Sequence, residues 1–269
     1  MSAEKKTKIK KITIKAAVAA LWLVLWQLVC FIVDMELLVV SPWQVLKRLT
    51  ELSATAEFWQ YSLGSLGRIT EGFLLGSVTG AVLAMLCHQF TFAREFFSPA
   101  ITLIKSTPVA SFIILALVWL TGQRVPVFIS FLMVLPVVYG NVSQGIREVD
   151  PKLLEMARIY GMNRQKRVLK IYIPSVLPYM MAACRTALGL SWKAGVAAEV
   201  IGVTKNSIGR QLYYSKISLE TADLFAWTAV VIIMSIALEK LFLFAVGYIG
   251  RRFHFDRPNS KGKVEGCRL

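Results

Sequence analysis

The sequence predicts an all-α membrane protein that crosses the bilayer about six times, and three observations carry that prediction. Apolar residues make up 56% of the 269 positions and charged residues only 17%, against about 25% in an ordinary soluble domain. The mean hydropathy is +0.58, and the apolar residues gather into runs near the roughly 20 needed to span a hydrocarbon core of about 30 Å. The lysines and arginines lie mostly between those runs and at the two ends. A formal net charge of +15 therefore reads as membrane topology rather than as the footprint of a nucleic-acid partner.

Residues 1–15 carry six lysines and form a basic tail. The first apolar run, 16–33, follows. It is long for the core of a signal peptide and has no A-x-A-like site after it. Cys30 is preceded by Val29 rather than a small residue, which argues against a lipoprotein signal. The run is read as the first span. Ser41 and Pro42 form an N-cap and first-turn pair, opening an amphipathic helix over 43–52. The second span is expected at 62–88, the third at 101–121 and the fourth at 127–145. A polar segment, 146–178, interrupts the pattern. The fifth span is expected at 179–201, a polar loop at 202–222 and the sixth span at 223–248. The membrane domain thus runs over 16–250, and 251–269 is a second basic tail.

With the N-terminus inside, the inner segments hold twenty lysines and arginines and the outer loops six. That asymmetry places both termini and the 146–178 segment in the cytoplasm. Cys30, Cys87, Cys184 and Cys267 are far apart in sequence, without the spacing of a zinc site or a disulfide framework.

The segment 151–174, PKLLEMARIYGMNRQKRVLKIYIP, carries the most information. It reads as two short helices hinged at Gly161, the second capped by Asn163 and running to Ile171 before Pro174. A cytoplasmic helix pair with mixed apolar and charged faces suits docking on a soluble partner. An amphipathic loop lying on the membrane surface is the plainer alternative.

Glu155-Met156-Ala157, then Gly161, then Ile171-Tyr172-Ile173-Pro174 resembles the cytoplasmic loop of ABC importer permeases. The family pattern is E-A-A, three residues, Gly, nine residues, I-x-L-P. Every spacing is kept, while Met156 and Ile173 replace Ala and Leu. SLGRITEGFLLGSVTG, TPVASFIILALVW, IREVDPKLLEMARIYG and RTALGLSWKAGVAAEVIG are similar to permeases of the nitrate, sulfonate and taurine importer group. The resemblance implies the type I importer permease fold, a homodimer of two permease copies and an extracytoplasmic substrate-binding protein. It also implies a dimer of ATPase subunits that receives the helix pair. It makes Glu155, Met156, Ala157, Gly161, Ile171 and Pro174 the ATPase-coupling residues, in a bacterial cytoplasmic membrane. The chain has no G-x-x-x-x-G-K-[ST] phosphate loop. It is therefore expected to hold no cofactor and to be no enzyme, with ATP and Mg bound by the partner ATPase.

Gly72, Gly76, Gly80 and Ala84 form an i, i+4 stripe on the second span, and Ala183, Ala187, Ser191 and Gly195 another on the fifth. Such stripes allow close helix approach in lipid. Charges inside spans are costly, about 2.5–3.5 kcal/mol at the centre. Arg68 and Glu199 near the outer ends, and Lys193 about 12 Å deeper than Ile201 at 1.5 Å per residue, are candidates for the translocation path. Arg68 can alternatively pair with Glu71 at i, i+3, and Lys193 with an acidic residue of a neighbouring span. Lys105 at the inner end of the third span is placed to snorkel to the cytoplasm. A standalone transporter or channel would need no docking pair. A membrane-embedded enzyme lacks support, because His88 and His254 are the only histidines and no carboxylate pair shares a site.

Overall fold

A computed structural model describes residues 3–33, 35 and 37–252. Those residues are helical almost throughout, with no strand among them. The long apolar runs leave no other solution in a bilayer, where every backbone N–H and C=O must be paired within the segment. In chain order the helices are α1 (Ala3–Val33), α2 (Pro42–Ser53), α3 (Ala56–Gln89), α4 (Thr91–Ser106), α5 (Val109–Trp119) and α6 (Val125–Arg147). They continue as α7 (Pro151–Ile159), α8 (Arg164–Arg167), a π-helical turn (Val168–Tyr172), α9 (Ile173–Ile201), α10 (Ile208–Ile217) and α11 (Thr221–Arg252).

A helix covers each of the six expected spans, but not always in the expected form. Three are by themselves long and apolar enough to cross a bilayer: Ala56–Gln89, Val125–Arg147 and Thr221–Ala245. The third expected span, 101–121, is not one helix. It is α4 and α5 meeting at 110°, and counting the pair as one span makes a fourth. Pro108 is the cause: its ring drives the preceding residue out of the helical region, and Thr107 sits at φ −85°, ψ 132°. Helix α9 has 29 residues, ample length, but Arg185, Lys193 and Glu199 interrupt its apolar character. In α1 the apolar stretch is Ala20–Val33, and the helix itself begins at Ala3, inside the expected basic tail. The other tail, from 253 onward, and Cys267 with it lie outside the described residues.

Helix α6 lies at the centre, with α3 and α9 against it. The small-residue stripes explain why. An added Cβ at Gly72 would stand 2.3 Å from the Val127 carbonyl oxygen, and one at Gly76 or Gly80 would come within 2.8 Å or 2.9 Å of the next carbonyls along α6. On α9, Ala183, Ala187, Ser191 and Gly195 are all buried. There a Cβ on Gly195 would meet Ile69 Cγ1 at 2.6 Å and Ser130 Oγ at 2.7 Å. With lipid tails as apolar as leucine, contact of this closeness rather than hydrophobic transfer holds the helices together. Val134, Val138, Phe73, Ala187 and Leu188 fill the seam toward one end; Trp192, Ile69, Ile208 and Trp227 fill it toward the other. The Trp192 indole donates to the Val231 carbonyl at 3.0 Å and pins α11 to α9.

We expect Gly72→Ala to destabilise the folded chain by about 1–3 kcal/mol through overpacking. Gly67→Ala, where an added Cβ meets nothing within 4 Å, should be neutral or slightly stabilising. Thermal unfolding of the two purified variants checks this; equal midpoints would remove the close-packing explanation.

The outside of the bundle is apolar. Trp22, Phe31, Leu63, Val78, Val118 and Phe244 are all more than half exposed, an exterior that water would not tolerate on this scale. Helix α2 starts as expected. Ser41 Oγ accepts from the Gln44 backbone at 3.3 Å and the Ser41 N–H donates to Gln44 Oε1 at 3.1 Å, a complete capping box. Arg48 of α2 pairs with Asp223 at the start of α11. Hydrogen bonds to Asp223 and then Glu51 hold its guanidinium still more firmly protonated than usual. The polar loop expected at 202–222 instead contains α10, which opens on Ser207 accepting from the Arg210 N–H at 3.0 Å.

Candidate functional site

Helix α7 opens on Asp150, whose Oδ1 accepts from the Lys152 N–H at 2.9 Å, with Pro151 in the first turn where its missing N–H is harmless. It ends on Gly161 at φ +61°. The Gly161 N–H bonds the Arg158 carbonyl at 3.1 Å and the Met162 N–H bonds the Ala157 carbonyl at 2.9 Å. This pair of bonds around a left-handed glycine is a Schellman cap, so the hinge expected at Gly161 has a defined geometry. Ala157 is buried, whereas Glu155 is exposed. Met156 is half-exposed, and Ile159 and Tyr160 are 83% and 80% exposed. A short helix thus presents large apolar side chains and a carboxylate outward, beyond the end of the membrane helices.

The second half of the segment departs from expectation. Asn163 occupies the cap position of α8 but its side chain makes no capping bond. The helix does not stop at Pro174 either; it passes through the π turn Val168–Tyr172 straight into α9. Pro174 sits in the first turn of α9, where it removes little, and the wider π turn ahead of it absorbs the mismatch in the ladder. Ile171 and Pro174 are half-buried in this junction. The expected pair is therefore one free helix, α7, and one rigid extension of the fifth span.

At the far ends of α3 and α9 lies a buried charge cluster. Glu199 is wholly buried. Its Oε1 accepts from Arg68 Nη2 at 3.0 Å and Nε at 3.2 Å, and its Oε2 from Ser65 Oγ at 2.7 Å and the Gly209 N–H at 3.3 Å. Arg68 Nη2 also donates to the Asn206 carbonyl at 2.8 Å, and Ser65 Oγ accepts from the Ile208 N–H at 2.9 Å. Gly209 must be glycine, since a Cβ there would stand 2.3 Å from Glu199 Cβ. The loop held this way has Val203 and Asn206 at positive φ, conformations that persist only where surroundings impose them. The cluster ties α3, α9 and α10 into one unit.

The Arg68–Glu71 pair allowed by their spacing does not form. Glu71 is half-exposed and takes Arg124 at 2.9 Å, while Arg68 goes to the carboxylate that has lost all its water. Of the three intramembrane candidates, Arg68 and Glu199 thus satisfy each other. Lys193 is exposed, with no ion pair among the described residues. It lies on the side of α9 turned away from the buried Ser191 and Gly195. Lys105 is exposed, and its ammonium lies beside Gly140 of α6. A further pair escaped the sequence reading. Arg185 Nη2 stands 3.4 Å from Glu239 Oε1, beside a cavity of about 240 Å³ that Thr186, Trp192 and Ser235 also line. Both are charges inside expected spans, and that was the signal available.

The family model for the "Binding-protein-dependent transport system inner membrane component" matches residues 72–255. The chain is 28% identical over 145 residues to the "Bicarbonate transport system permease protein CmpB" of Synechocystis sp., covering 54% of this chain and 51% of that one. It is 30% identical over 162 residues to the "Putative aliphatic sulfonates transport permease protein SsuC" of Escherichia coli, covering 60% and 62%. It is also 30% identical over 138 residues to the "Nitrate import permease protein NrtB" of Synechococcus elongatus, covering 51% and 50%. The matched region thus spans about half the length of the first of these relatives. In fold it is similar to a chain of an amino acid ABC transporter, with a TM-score of 0.60 at 19% identity over 76% of this chain and 97% of that one. A chain of a bacterial ABC transporter that imports alginate gives 0.55 at 16% identity, over 93% and 99%. The fold is that of these transporter chains, and the chain belongs to the family of binding-protein-dependent transport system inner membrane components.

Proposed function

We propose that this chain is the transmembrane permease subunit of an ATP-driven importer, and that it carries a small anionic solute delivered by an external binding protein. The observation that carries the reading is α7: a capped helix beyond the membrane ends whose apolar residues Met156, Ile159 and Tyr160 face outward, with nothing among the described residues covering them. In this reading α7 docks on a separate ATPase subunit, which binds ATP and Mg and supplies the driving force. Two copies of the chain form the path. Their termini and the 146–178 segment lie in the cytoplasm, as the basic residues favour, and the complex sits in a bacterial cytoplasmic membrane. The relatives named for bicarbonate, nitrate and sulfonates favour an anion, and Lys193 supplies an exposed cation on α9.

Uptake into vesicles holding the chain with its ATPase and binding protein tests the reading, with nitrate, bicarbonate and an alkanesulfonate as substrates. ATP-dependent uptake of one of these anions is expected. Lys193→Met should lower it about tenfold or more, about 1.4 kcal/mol of lost interaction, with the complex still assembling. Uptake by the permease alone would overturn the proposal. Dissociation of the Lys193→Met complex would assign Lys193 to a structural contact between subunits instead.

A further inference from the structure

A cavity of about 550 Å³ opens where α3 and α6 end and α9 begins, within the 300–1,000 Å³ usual for small-molecule sites. Its body is apolar, formed by Met85, Val142, Ile173, Val176 and Met180. Its other end is basic and polar: Arg164, Arg167, His88 and Gln89 line it, and no carboxylate does. The Arg167 Nε–H is buried without a hydrogen-bond partner, a donor that should have one. Met85 and Ile173 are about half-exposed, so the apolar body is open on one side. The His88 ring, 6.4 Å from that of Tyr172, links α3 to the π turn across the same site.

From this division we infer that the cavity binds one anionic glycerophospholipid. Its phosphate would lie at Arg164 and Arg167, and an acyl chain along Met85, Val142 and Met180. The position fits: α3 ends at Gln89 and α8 lies in the polar segment 146–178 just ahead of α9, so the arginines stand at headgroup level and the cavity body at the level of the first acyl carbons. A soluble anion would leave the apolar body unfilled, and an uncharged lipid would leave the Arg167 donor and two guanidinium charges unanswered. Basic pockets between membrane helices select anionic headgroups on the same grounds. Because the π turn forms one wall and joins α8 to α9, a bound lipid would brace the junction between the 151–174 segment and the membrane domain. The inference rests on the membrane placement of the chain and not on α7 as the ATPase contact.

Native mass spectrometry of the complete, delipidated complex tests it, with phosphatidylglycerol, phosphatidylcholine or inorganic phosphate added back. We expect one phosphatidylglycerol retained per copy of the chain, preferred about tenfold over phosphatidylcholine. Arg164→Gln with Arg167→Gln should abolish the preference. Met180→Trp, which fills the body and keeps both arginines, should abolish retention; Met85→Trp takes its place if that variant fails to assemble. Retention unchanged in the arginine variant, or in both tryptophan variants, would mean lipid bound elsewhere on the surface and would overturn the inference. Equal retention of phosphatidylcholine, or displacement of phosphatidylglycerol by inorganic phosphate, would overturn it as well, the latter in favour of a free-phosphate site. Retention by the chain alone but never by the complex would give the cavity to a segment of the ATPase.

Discussion

Arg68→Met is expected to destabilise the chain by about 3–5 kcal/mol, the usual cost of leaving one partner of a buried ion pair without the other. Glu199 is wholly buried, and Arg68 is its only cation among the described residues; Ser65 and the Gly209 N–H remain but carry no charge. The Asn206 carbonyl loses its donor in the same variant. Glu199→Met should be nearly as damaging, because Arg68 is itself largely buried, at 14% side-chain exposure. The double variant should recover much of the loss, since replacing both charges by apolar groups of similar volume is often close to neutral. Arg68→Lys should not restore stability, because an ammonium cannot reproduce the fork that reaches both Glu199 and Asn206. Thermal unfolding of the four purified variants gives the double-mutant cycle. An Arg68→Met midpoint equal to that of the parent would show that the pair contributes nothing to holding α10 against α3 and α9.

Gly161→Val and Glu155→Lys should each remove most of the transport while leaving membrane insertion intact. At φ +61° a β-branched side chain is strained by about 1–3 kcal/mol, enough to break the cap formed by Gly161 and Met162 and turn α7 out of line. Glu155→Lys acts differently. It reverses the one outward carboxylate of α7, beside Met156, Ile159 and Tyr160, which a cationic partner surface would feel directly. Substrate-stimulated ATP hydrolysis by the assembled complex should fall about tenfold or more in both variants, equivalent to about 1.4 kcal/mol or more of coupling. The Gly161→Ala variant should be milder, since alanine tolerates the left-handed region better than valine. Full ATPase stimulation in both Glu155→Lys and Gly161→Val would remove α7 as the contact with the ATPase.

Much of the molecule was legible in its residues because the determining forces are local. Insertion into a bilayer depends on the apolar content of about twenty consecutive residues, so all six expected positions carry helices. The caps at Ser41 and Gly161 follow from residues within one or two turns of each other. The small-residue stripes of α3 and α9 could be read from their period of four. Other features were decided only when distant segments met. Arg68 has Glu71 three residues away, yet its partner is 131 positions distant, because desolvation of Glu199 outweighs a pairing available in solvent. The sequence pattern runs one span over 101–121 straight through Pro108, whereas the chain breaks there and turns by 110° so that α5 packs on α6 and α9. Helix α10 was hidden in a polar loop because its order comes from Ser65, Glu199 and Arg68 gripping its first turn. Local composition sets which segments become helices in the membrane, whereas the choice among possible charge partners is made by burial, which exists only once the helices have packed.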